Sequence, residues 1–265
     1  MRGAFGRFLF ALSLVAVLAC GESRELVDLG IARFPESREP GDLGTRALLT
    51  THEWKVRKGG HRFRVVYAHG TSAILTLERD HEALGRRFKF QPVGENQFRL
   101  ATPSHCGGRG WMTCVYSEVL GRSATNLVPL LDRIESGATA QAWTKTGAAR
   151  WLLAFVQQIP YRIPEKHPFG ILPPALVASK DWGDCDSKSL LLLHLLERFG
   201  IDAIMLVSKA HSHALVGIAV PSSGDSFRYR SRDYAWAETT AKGAPLGWLP
   251  PGLSTPDDWR RVPIF

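Results

Sequence analysis

The spacing of apolar residues changes character along the chain. Between about residues 51 and 105 the apolar runs are short and broken by turn signals. Trp54-Lys55-Val56-Arg57, Phe63 to Ala68 and Ala73 to Glu78 are separated by Gly59-Gly60 and His69-Gly70. Phe88 to Val93 and Asn96 to Leu100 flank Gly94. Short runs bounded by glycine predict strands, so residues 51–115 are expected to form a β-rich N-terminal module. From Tyr116 to Gln158 the period becomes helical: Leu127, Leu130, Leu131 and Ile134 share one face, and Ala149, Leu152, Leu153 and Val156 another. Pro160, Pro164, Pro168, Pro173 and Pro174 then mark an extended loop. A leucine-rich helix opens at Cys185 and stops at Phe199-Gly200, a C-terminal glycine signal. Strands are predicted at Ile201 to Ser208, His213 to Val220 and Tyr234 to Thr240. No period of 20–50 residues repeats, which excludes a solenoid. The pattern is that of an α+β chain, with the second domain over 116–265.

The ends of the pattern add a compartment. Arg2 and Arg7 precede a nearly wholly apolar stretch from Phe8 to Ala19, too short to span a bilayer comfortably and laid out like a secretory signal. Val17-Leu18-Ala19-Cys20 resembles a bacterial lipobox, in which the cysteine is lipidated, and Gly21 in place of Asp resembles outer-membrane sorting. Residues 1–20 are thus expected to be a leader and 21–50 a polar tether. The protein is expected to be exported to the periplasm or outer membrane and anchored through Cys20. Plain cleavage with Cys20 incidental is the alternative. The 265 residues, 45% hydrophobic and 22% charged, suffice for one large domain or two small ones. The net charge of +8 is dispersed rather than run together, so nucleic acid is not an expected partner. Of the cysteines after the leader, Cys106 and Cys114 bracket a glycine-rich loop and are expected to pair, which leaves Cys185 free.

That free thiol carries the candidate chemistry. At a helix N-terminus it meets unpaired backbone N–H groups and the positive end of the macrodipole, which predicts a thiolate near neutral pH. His213 heads an apolar strand, and Glu238 interrupts another at Tyr234 to Thr240. If the two strands pair antiparallel through the turn at Ser222 to Asp225, opposed or diagonal side chains lie within about 4.5–8 Å. An imidazole to take the thiol proton, a carboxylate to hold its tautomer and backbone N–H groups for the oxyanion would complete a thiol catalyst. Blander readings stand beside it. A cysteine opening a leucine-rich helix can be simple packing, Glu238 can pair with a nearby arginine, and His211 competes with His213. His194 reads as a core residue. A zinc site from Cys185, His211 and His213 lacks the usual ligand pairs, so no metal or cofactor is expected.

Trp182-Gly183-Asp184-Cys185-Asp186-Ser187-Lys188-Ser189-Leu190, then Leu196 to Ala203, then His213-Ala214-Leu215-Val216-Gly217-Ile218, resemble the transglutaminase-like superfamily of papain-related cysteine enzymes. The likeness covers about residues 150–250, and Phe155 to Tyr161 is similar to the helix-end segment before the family's active-site loop. It implies a nucleophile helix packed on an antiparallel sheet, with Cys185 as nucleophile, His213 as base and Glu238 as the orienting acid. Many relatives carry Asp in an Asp-Pro-Thr setting where this chain has Glu238-Thr239-Thr240. Gln157 is a candidate oxyanion donor or helix-end packing residue, and Trp182 and Asp184 either shape the pocket or cap the helix. The implied activity is thioacyl chemistry on a peptide or Gln-type amide of a peptide or protein substrate, with hydrolysis favoured. A true amine-transferring transglutaminase and a non-catalytic envelope peptide-binding module of the same fold are the alternatives.

Overall fold

The structure, a computed structural model, describes residues 26–33, 47–56, 61–94, 97–253 and 255–265. The leader and Cys20 lie outside the described residues. Part of the expected tether is structured. Strand β1 (Leu26–Arg33) pairs parallel with β3 (Arg62–Gly70), which also pairs antiparallel with β2 (Ala47–Lys55), giving a sheet of order β1-β3-β2. The segment expected as a third strand, Ala73 to Glu78, is instead inside helix α1 (Thr71–Arg87). Its buried Ile74, Leu77, His81 and Leu84 recur at helical spacing over a longer window than the one that suggested a strand. The hairpin around Gly94 is present as β4 (Gln91–Gly94) and β5 (Gln97–Arg99).

Two long helices follow, α2 (Trp111–Ala140) and α3 (Lys145–Gln158), and the predicted apolar faces of both are buried. The proline-rich stretch holds a short helix that the sequence reading missed, α4 (Pro174–Lys180). Pro174 sits at its first position, where a missing N–H costs nothing. Helix α5 (Cys185–Arg198) is apolar on every face, from Leu190 to Leu196, and a helix apolar all round must be enclosed. It packs against α2, α3 and α4 on one side and against strands β6 (Ala203–Ser208) and β7 (His213–Ile218) on the other.

Those strands belong to an antiparallel sheet of order β10-β6-β7-β9-β8, completed by β8 (Ser226–Tyr229), β9 (Arg232–Ala237) and β10 (Arg260–Val262). β7 and β9 do pair antiparallel, but not through the turn at 222–225. That turn leads into β8, and β9 returns from β8 through Arg230 and Ser231, both at positive φ (44° and 67°), to lie between β7 and β8. The register Val216↔Ala237 and Gly217↔Trp236, continued past the Val216–Ala237 end of the ladder, puts His213 and Glu238 on the same face and diagonal to each other. One contiguous cluster of buried side chains runs from Ala32 through Trp54, Phe63, Trp151 and Leu193 to Val262.

Candidate active site

The first turn of α5 is held from two directions. Asp184 is its N-cap, with Oδ1 accepting from the Ser187 backbone N–H at 3.0 Å and from the Ser187 hydroxyl. The same hydroxyl accepts from Leu172 N–H at 2.8 Å. Just upstream, Gly183 N–H donates to Pro160 O and Arg162 N–H to Gly183 O, each at 3.1 Å, so the segment after α3 runs beside the cysteine. Of the two readings for Asp184, the cap is the one the contacts bear out. Trp182 is partly exposed, with the Arg162 guanidinium 4.7 Å from its ring centre, and is not the cap of α5.

On the facing sheet, the His213 Nε2 lies 2.7 Å from Glu238 Oε2. The other carboxylate oxygen, Oε1, accepts from Thr240 N–H at 2.7 Å and the Thr240 hydroxyl at 2.6 Å. Among the described residues no arginine pairs with Glu238. Burial works against its charge, but the hydrogen bond and charge of His213 and the two Thr240 donors outweigh it, so the carboxyl is held below its ordinary range. Cys185 faces this pair across the α5–β7 contact, with the Ala214 N–H, next along from His213, near enough to favour the thiolate. Trp259, only 1% exposed, stands edge-on to His213 with ring centres 6.1 Å apart and shields the imidazole on that side.

No family model, curated protein or solved structure matches this chain. The chemistry is therefore to be read from the site itself.

Its electrostatics correct one expectation. Burial, then the carboxylates of Asp186 and Asp184, push the Cys185 thiol well up rather than down. The thiol donates to Asp186 Oδ2 at 3.5 Å. A helix terminus offers about half a positive charge, whereas the two carboxylates offer up to two negative ones nearby, so the macrodipole loses. Asp186 also accepts a hydrogen bond from the buried Tyr116 hydroxyl, and burial raises its own carboxyl. Burial and Asp186 raise Asp184 to about 7.

Gln157 is not placed to donate to an oxyanion. Both hydrogens of its amide go to backbone carbonyls, Glu238 O at 2.8 Å and Ala244 O at 2.9 Å, and its Oε1 accepts from Gly243 N–H at 3.2 Å. It ties the end of α3 to the segment after Glu238. Below it lies the fully buried Lys188, whose ammonium donates to Ile159 O at 2.7 Å. Burial lowers Lys188 to about 8, with Glu238 acting the other way.

The remaining candidates separate cleanly. His211 pairs with Asp258 at 3.2 Å, and His194 with Glu197 at 3.3 Å. The disulfide Cys106–Cys114 is formed, and Cys185 is the free, buried thiol among the described residues. Ligand atoms of Asp184, Cys185 and Asp186 lie within 4.8 Å of one another, so these three are where a cation could be held. The sequence reading missed Asp186, Tyr116, Lys188, Thr240 and Trp259. Thr240, two residues after an acid, has a local signal, that of a short polar turn. Tyr116 and Trp259 have none, being about 70 and 46 positions from the residues they touch.

Proposed function

We propose that the protein is a transglutaminase-like cysteine enzyme that acts on peptide or Gln-type amide bonds through a thioacyl intermediate, with hydrolysis favoured over crosslinking. The observation that carries this reading is the His213–Glu238 contact of 2.7 Å beside Cys185. A buried carboxylate aimed at one ring nitrogen, with donors of its own from Thr240, fixes the imidazole tautomer and leaves Nδ1 as the base. In the proposed step Nδ1 takes the thiol proton and the sulfur attacks the amide carbon. The C–N bond then breaks, with the proton delivered to the departing amine. Water, deprotonated by the same nitrogen, cleaves the thioester and restores the thiol. The Cys185 backbone N–H, which has no acceptor within α5, suits the oxyanion. The His213 side chain is 18% exposed, so a second substrate has a path to the base. α5 lying on an antiparallel sheet agrees with the fold that the resemblance implies. Export and anchoring through Cys20 belong to the same proposal, and the Cys106–Cys114 disulfide is in keeping with an oxidising compartment.

One observation favours the non-catalytic peptide-binding module: the thiol is buried and its carboxylate neighbours oppose ionisation. Incubating the wild type and Cys185→Ala with a peptide library and a labelled amine separates the readings. Cys185-dependent cleavage is expected. Cys185-dependent amine incorporation would make the protein a transferase, and no Cys185-dependent product of either kind would leave the binding module.

A further inference from the structure

A cavity of about 650 Å3 opens between the β2–β3 sheet, α3 and residues 242–246, and Cys185 is not in its wall. Part of the wall is apolar and rigid, formed by Trp54, Leu153 and Leu246, each buried. The rest is basic. Lys55, Arg62, Arg150 and Lys242 line it against one acid, Glu53. Arg62 is 3.3 Å from Glu53, and among the described residues Lys55, Arg150 and Lys242 have no ion pair.

We propose that this cavity binds a small anionic amphiphile, a molecule with an apolar body and one oxyanion head group. The volume falls within the roughly 300–1,000 Å3 usual for small-molecule sites. An apolar body covers the indole and leucine wall, while the head group meets uncompensated cations. The arginine fork suits carboxylate and phosphate alike, so both heads share the chemistry. The site is independent of the reading of Cys185, and its test reads no activity.

The test is calorimetric titration of the full chain with decanoate and decyl phosphate below their micelle concentrations and with decanol below its solubility limit. At least one anion is expected to bind tenfold or more tightly than decanol, and whichever head binds better names the source. Arg150→Glu with Lys242→Glu, both at the rim, should weaken anion binding at least tenfold while leaving the melting temperature near that of the wild type. Leu153→Trp should fill the cavity, and should it fail to fold, the rim variant decides. Hydrogen-exchange protection by the bound anion should fall on residues 53–56, 150–158 and 242–246. Decanol binding as well as both anions, unchanged binding in the rim variant, or protection only elsewhere would overturn the proposal.

Discussion

Glu238 shows how much a single residue can announce. A carboxylate inside an apolar run has to be paired, and it is: His213 on one oxygen, Thr240 on the other. Its folded pKa is depressed, so it contributes stability above the ordinary carboxylate range, and that contribution disappears as pH falls below about 4.5 through the lower folded value. In urea titrations the gap between wild type and Glu238→Gln should therefore be wide at neutral pH and close in acid. If the protein is the proposed enzyme, that variant should also lose about 10²-fold in kcat/KM, the usual worth of acid–base support. Asp184 has the opposite sign. Its carboxyl is raised from 3.8 to about 7, so the stability tied to its protonated form is complete below 3.8 and lost as pH rises through 7. Asp184→Asn keeps a side-chain cap on Ser187 and removes the charge. It should be more stable than wild type at pH 8 and no different at pH 3, and a gain independent of pH would show the shift to be wrong. The same variant should speed alkylation of Cys185 at pH 8. The acids beside Cys185 were legible as residues, but their dominance over the helix terminus was not, because it depends on how deeply the cluster is buried.

Among the elements, those with long, regular apolar faces were legible. α2, α3 and α5 fall close to where the pattern puts them, and Gly200 at φ +57 ends α5 as its position suggested. α1 was not, because Ala73 to Glu78 in isolation reads as a strand, and the helical spacing of Ile74, Leu77, His81 and Leu84 emerges only over the longer window that is buried. α4, seven residues between prolines, is too short for a period to register. The turn at Ser104–Cys106 is tied to the start of α2 by Cys106–Cys114, eight positions apart. Loop closure of that length is worth about 2.5 kcal/mol in the chain-entropy model. Cys106→Ser with Cys114→Ser should lower the urea-derived stability by roughly that amount, and an unchanged midpoint would mean the loop is equally ordered without the bond. Within the sheet, Gly217 of β7 has Phe227 of β8 above it: a Cβ there would stand 2.6 Å from that ring. Gly217→Ala should cost about 1–3 kcal/mol by overpacking, read from thermal melts.

On the scale of the whole molecule, the N-terminal strands and the C-terminal helices share one core. Trp54 of β2 lies 5.4 Å from Trp151 and 5.0 Å from Phe155 of α3, and Phe63 of β3 lies 5.1 Å from Trp151. Unfolding in urea should then be a single transition, with tryptophan fluorescence and far-ultraviolet dichroism coincident. Two separated transitions would mean that the sheet β1-β3-β2 folds alone. Sequence by itself determined the α+β class, the Cys106–Cys114 pairing, the helix that opens at Cys185 and the candidates His213 and Glu238. All of these rest on local spacing, turn chemistry or the cost of burying a charge, quantities that nearby residues settle. Tertiary structure alone decided the order β10-β6-β7-β9-β8, the use of both Gln157 hydrogens, the contacts from Tyr116 and Trp259, and the direction in which Cys185 titrates. These depend on groups far apart in the chain and on how much water is excluded between them, and the spacing of residues along a sequence carries no record of either.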